Sequence, residues 1–134
     1  MIVVDANIIA QMTFPGQFST EVNALHEKNP EWVAPAVWKV DFLNILALYF
    51  RKGVIDQGQA STALDVAERL IGSREHTVDA KEILQCIVAS PCSAYDGEFV
   101  VLAQKLGTKV ITYNRKVIQQ FPDLALTPEE YLKK

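Results

Sequence analysis

With two histidines and two cysteines in 134 residues, the chain offers little to a soft metal. Cys86 and Cys92 are separated by five residues, the spacing of neither a Cys-x-x-Cys redox motif nor a zinc finger, and read as reduced, mostly buried thiols. His26 and His76 fall in unrelated segments and read as surface or internally satisfied side chains. No apolar run approaches the roughly 18–20 residues of a membrane span. The opening "MIVVDANII" lacks the cationic stretch and small-residue cleavage site of a signal peptide. A cytoplasmic protein without a membrane partner is the expectation. Cationic excess is missing too: the formal net charge is −3, so a broad basic surface for nucleic acid is excluded, while a local acidic site is not. Neither a glycine-rich phosphate loop nor a nucleophile elbow is found. Nor does any repeat, low-complexity tract or linker divide the chain, which predicts one domain over residues 1–134.

What is present alternates between short apolar runs and longer helical periods. Ile2–Val4 and "WVAP" (Trp32–Pro35) suit strands buried on both faces. A helix start over Ile8–Met12 is interrupted at Phe14-Pro15-Gly16, and a second helix is predicted over Phe18–Glu27. The stretch Ala36–Arg51 reads as a long helix, apolar on nearly every face and stopped by Gly53. Asp56 stands where an N-cap belongs for a helix to about Leu70, and "EHTVD" is a candidate strand with Asp79 capping "AKEILQCIVA". A helix "GEFVVLAQKLG", a strand Lys109–Thr112 and a capping box at Thr127-Pro128-Glu129-Glu130 complete the chain. Strands alternating with helices predict an α/β fold with a mainly parallel sheet, in which ligands bind beyond the carboxyl ends of the strands.

Four polar residues fall where such a site would lie. Asp5 follows the first strand directly, and reads either as a cap, with Asn7 helping the turn, or as a functional acid. Asp41 lies between Val40 and Phe42 in the apolar helix, where a carboxylate needs a pairing cation, a proton or a metal. Lys39 points elsewhere on that helix, whereas Asn44, three residues on, shares the face of Asp41. Asp96 opens an amphipathic helix as an N-cap or first-turn acid. Glu98 lies about 200° away around that helix and reads as a helix-dipole acid. Asn114 ends the strand near the C-terminus, followed by Arg115 and Lys116. Hard oxygen donors gathered in this way suit Mg²⁺ or Mn²⁺.

At these residues the sequence resembles the PIN-domain family, in particular the small VapC-type toxins of toxin–antitoxin pairs. "VVDANII" resembles the first motif of the family, and "APAVWKVDFLNILALYFRKG" is similar to the second. "SAYDGEFVVLAQKLGTKVITYNRKV" resembles the third and fourth, so the likeness covers almost the whole chain. It implies a three-layer α/β/α sandwich, Mg²⁺ or Mn²⁺ bound by a carboxylate cluster, and cleavage of RNA. It also implies a homodimer and a small antitoxin that occupies the active-site groove. Carried over residue by residue, Asp5 and Asp96 are metal ligands, and Asp41 stands where the family usually has Glu. Asn114 stands where the family often has Asp, and Thr112 matches a supporting hydroxyl. Catalysis is then expected of Asp5, Asp41, Asp96 and Asn114, with support from Asn7, Asn44 and Thr112 and RNA phosphate contacts from Arg115 and Lys116. The shorter Asp41 reaches about 1.5 Å less than Glu, and Asn114 removes a charge. One firmly held metal is expected, with any second recruited by the substrate. A PIN-like binding or regulatory protein that has lost cleavage is the alternative. A phosphoacceptor domain fits less well, because the first strand offers only one acid.

Overall fold

Ile2–Val4 has no polar side chain and is closed to solvent on both faces, so it forms the middle strand, β1, of a parallel sheet. The computed structural model describes every residue of the chain except Pro15. The elements follow as α1 (Ala6–Thr13), α2 (Ser19–Lys28), β2 (Trp32–Pro35), α3 (Trp38–Arg51), α4 (Gln57–Ile71) and β3 (Glu75–His76). The second half comprises α5 (Ala80–Ala89), α6 (Ala94–Leu106), β4 (Val110–Ile111), α7 (Arg115–Gln120), β5 (Ala125–Leu126) and α8 (Pro128–Leu132). Helices cover both faces of the sheet, giving a three-layer α/β/α sandwich.

The strand order is β3-β2-β1-β4-β5, with every pairing parallel. The chain builds outward from β1 to β2 and β3, then returns to lay β4 against the other edge of β1. This reversal leaves a crevice between the carboxyl ends of β1 and β4, the place where open α/β sheets bind ligands. Pairing of Val3 with Val110 and Val4 with Ile111 fixes the register, so Asp5 and Thr112 leave the sheet side by side. The core is anchored by the fully buried Trp32, Trp38, Phe42 and Phe99. Trp38 Nε1 donates to Glu75 Oε1 at 2.8 Å and thereby ties α3 to β3.

Several boundaries differ from the sequence reading. The predicted strand "EHTVD" contributes only Glu75–His76 to the sheet. The helix expected from Gly97 begins three residues earlier, because the Ser93 hydroxyl accepts from the Asp96 backbone N–H at 3.1 Å and caps the helix. Helix α3 is not buried all round: Val40, Leu43, Leu48 and Phe50 are exposed, and Asp41 is half-buried. Helix α1 ends at Thr13, and the expected break at Phe14–Gly16 includes Pro15, outside the described residues. The cysteines are half-buried free thiols with their sulfurs 3.7 Å apart. Burial pushes the Cys86 thiol up to about 11. The capping boxes at Asp56 and Thr127 are both present.

Candidate active site

The crevice beyond β1 and β4 opens into a cavity of about 370 Å³ lined by Asp5, Asn7, Asp41, Asn44, Asp96 and Asn114. These residues arrive from separate parts of the chain. Asp5 comes from the end of β1 and Asn7 from the first turn of α1, Asp41 and Asn44 from the first half of α3, and Asp96 from the first turn of α6. Asn114 stands between β4 and α7.

Asp5 is the most constrained of them. Its Oδ1 accepts from the Ala6 backbone N–H at 2.7 Å, so the carboxylate also caps α1. Its Oδ2 accepts from the fully buried Thr112 hydroxyl at 2.7 Å. Thr112 in turn accepts from the Asn114 backbone N–H at 2.9 Å. Asn7 bridges the two strand ends, because its Oδ1 accepts from the Tyr113 backbone N–H at 3.2 Å while its Nδ2 lies 3.4 Å from both Asp5 Oδ2 and Thr112 Oγ1. Thr112 and Asn7 thus hold the carboxylate in one orientation.

Electrostatics separate this cluster from a set of ordinary caps. Burial pushes the Asp5 carboxyl up to about 6 against its hydrogen bonds, and repulsion from Asp41 and Asp96 adds to the rise. Asp41 is raised by burial and then by Asp96. Asp96 is raised by burial, with the Ser93 hydrogen bond and the Lys116 cation pulling the other way. The acids lie within one another's fields, an arrangement that stabilises a bound cation and weakens the empty fold. Glu98, read from the sequence as a helix-dipole acid, has its carboxyl raised by burial and by Asp41, so it stands at the rim of the same field. The 200° separation from Asp96 gave no sign of this, because it took no account of where α3 approaches.

Asn114 sits differently from the other three. Its Oδ1 accepts from the Lys116 backbone N–H at 3.0 Å and caps α7. Rotating the amide would set an NH₂ against that N–H, so the cap fixes the oxygen and leaves the NH₂ for the cavity. An Asp here could cap with one oxygen and ligate with the other; Asn114 keeps the cap and presents a donor. Lys116 lies close enough to stabilise the ionised Asp96, whereas Arg115 lines a separate neighbouring cavity.

Among the described residues, no three or more His, Cys, Asp or Glu side chains close into a ready-made metal cage. The donor set is nevertheless that of a hard divalent cation: carboxylate oxygens around an open cavity, with the amide of Asn44 beside them. Mg²⁺ commonly uses one or two carboxylates and keeps several waters, so a closed protein cage is not a requirement.

No family model matches the chain. Over 130 residues it is 26% identical to Ribonuclease VapC3 of Pyrobaculum aerophilum, covering 95% of this chain and 98% of that protein. The solved structure of PAE2754 from Pyrobaculum aerophilum superposes with a TM-score of 0.78 at 17% identity, over 98% of this chain and 86% of that one. The chain has the fold of a VapC-type PIN domain. Two further PIN-type neighbours are similar to it. One is FitAB bound to an IR36 DNA fragment, with a TM-score of 0.71 at 16% identity over 96% of this chain and 95% of that one. The other is FitAcB from Neisseria gonorrhoeae, with a TM-score of 0.67 at 15% identity over 96% and 99%. In this PIN-type fold the acid-lined crevice falls at the topological reversal of the sheet, and Thr112 and Asn7 are its internal struts.

Proposed function

We propose that this chain is a Mg²⁺- or Mn²⁺-dependent endoribonuclease, the toxin of a toxin–antitoxin pair, acting in the cytoplasm as one domain over residues 1–134. The observation that carries the reading is the convergence of Asp5, Asp41 and Asp96 on one open cavity, with the carboxyl of each raised. The likeness to Ribonuclease VapC3 along nearly the whole chain supports RNA as the substrate. The FitAB and FitAcB neighbours support a small antitoxin partner. Exposed apolar side chains on α3 and α5, among them Phe50, Leu84 and Val88, support protein partners, a second copy included.

In the mechanism, Asp5 and Asp96 would hold the cation and Asp41 would orient the attacking water. When bound, the cation supplies Lewis-acid charge that lowers the pKa of water and stabilises negative charge on the phosphate. Thr112 and Asn7 keep the Asp5 carboxylate from rotating, which fixes the geometry before substrate arrives. Asn44, one helical turn from Asp41, is within reach of the same water. The NH₂ of Asn114 donates to a non-bridging phosphate oxygen, and the Lys116 ammonium adds charge on the same side. Arg115 steadies the RNA on the far side of the strand end.

The second reading, a PIN-like binding protein without cleavage, draws on one observation: the Asn114 oxygen is committed to its cap. Calorimetric titration with Mn²⁺ separates the two. The nuclease reading expects binding near millimolar metal or tighter, strengthened about tenfold or more in Asn114→Asp. Absence of heat at millimolar Mn²⁺ in both proteins would favour the binding protein.

A further inference from the structure

A second cavity of about 460 Å³ opens on the other side of the β4–α7 turn, walled by Phe18, Glu21, Tyr113, Arg115, Thr127 and Glu129. Its size is that of a small-molecule site. Phe18 and Tyr113 stack on one another with centroids 4.4 Å apart and planes 25° from parallel, and both rings line the cavity as an aromatic wall, so a base would meet the outside of this pair and not a slot between the rings. The Tyr113 hydroxyl donates to Glu21 Oε1 at 2.6 Å, which braces the wall and leaves the second Glu21 oxygen as an acceptor. Glu129, whose Oε1 lies 3.2 Å from the Lys133 ammonium, contributes another carboxylate, and Arg115 supplies a guanidinium to the wall.

Position links this cavity to the acidic crevice. Tyr113 and Arg115 line the second cavity, while Asn114 between them lines the crevice. Tyr113, Asn114 and Arg115 are consecutive, so the two cavities flank one turn of backbone. Carboxylates accept hydrogen bonds from the donors of a base, which an ionised phosphate does not offer. An aromatic wall with polar groups at its edge is how proteins hold an unstacked base of single-stranded RNA. Among the four bases, guanine alone carries two adjacent donors, N1–H and N2–H₂, on one edge and two acceptors, O6 and N7, on another. Carboxylates meet the first edge and an arginine meets the second.

We propose that this cavity is a guanine pocket, which takes the base flanking the scissile phosphate against Phe18 and Tyr113, with Glu21 and Glu129 reading the donor edge and Arg115 the acceptor edge. The proposal rests on the nuclease reading for its place on the RNA, but base binding can be measured without cleavage. The test titrates the protein with 5′-GMP and with 5′-CMP while following the ring resonances of Phe18 and Tyr113. Both probes carry the same phosphate, so their difference isolates the base. GMP is expected to shift both rings saturably and to bind about tenfold or more tighter than CMP. Glu21→Gln, which retains an acceptor for the Tyr113 hydroxyl, is expected to reduce that preference. Glu129→Gln, at an exposed position, serves as the second variant should Glu21→Gln fold poorly. In parallel, cut sites in a random-sequence RNA are expected to carry guanine at one fixed position, a bias that either variant lessens. RNA cleavage with no fixed guanine, and rings that GMP leaves unmoved, would overturn the pocket and leave the nuclease standing. Selective GMP binding without cleavage would uphold the pocket and contradict the nuclease.

Discussion

Asp5 is held by Thr112 and Ala6 and opposed by burial and by its acidic neighbours, and the opposition is stronger. Its carboxyl titrates near 6 in the fold, above the ordinary value of 3.8, so the folded state binds the extra proton between these two. The stability that Asp5 contributes to the metal-free protein is therefore fully present below about pH 4 and is lost as pH rises through about 6. At 1.36 kcal/mol per unit, the loss is at most about 3 kcal/mol. Asp5→Asn, which can still cap α1, is expected to abolish RNA cleavage yet raise the metal-free stability near pH 7.5. Urea unfolding in EDTA checks this, and the gap between variant and wild type should widen from pH 4 to pH 6.5. A gap independent of pH would mean that some other group carries the strain. Asn114 teaches a related point at the same scale. Its location beside the acids was legible from the strand end, but the direction of its hydrogen bond was not, because a cap and a ligand use the same oxygen.

Helices α5 and α6 meet at Gly97, one residue after Asp96. A Cβ built at Gly97 would lie 3.5 Å from Ile83 Cγ2, 3.7 Å from Ile87 Cγ2 and 3.8 Å from Cys92 Sγ, all ordinary contacts. Because the added methyl would make only ordinary contacts and the backbone is helical, Gly97→Ala is expected to stabilise the protein by about 0.5–1 kcal/mol through lower unfolded-state entropy. A shifted urea midpoint with unchanged Mn²⁺ affinity would confirm this; a loss of stability would show that α5 and α6 pack more tightly there. At this scale much was readable. Ile2–Val4 and Trp32–Pro35 announced themselves as unbroken apolar runs, and Asp56 and Thr127 as caps. Strand β5 did not, since Ala125–Leu126 is too short for any period to register and depends on pairing with β4. The start of α6 was misplaced because Ser93 and Asp96 are both good caps, and only the hydrogen bond from the Asp96 N–H decides between them.

At the scale of the molecule, the site is a consequence of topology. Returning the chain to lay β4 against β1 brings the ends of two buried strands together, and α3 and α6 deliver their acids to the same crevice. The net charge of −3 is small, so the acids gathered in this crevice are a local feature and not part of a strongly acidic chain. The alternation of strands with helices announced a parallel α/β sheet, and at β1 and β4 an apolar run followed by a polar residue marked the strand ends that matter. The neighbouring cavity left no pattern of its own, since Phe18, Tyr113 and Glu129 are far apart in sequence and meet only through the fold. The central claim is that the acids converging at the reversal make a metal-dependent nuclease. Incubating cellular RNA with wild type and Asp96→Ala, each with Mn²⁺ and with EDTA, tests it most directly. Cleavage is expected from wild type with Mn²⁺ alone, and background from Asp96→Ala under both conditions. Equal cleavage by the two proteins, or none by wild type at millimolar Mn²⁺, would contradict it.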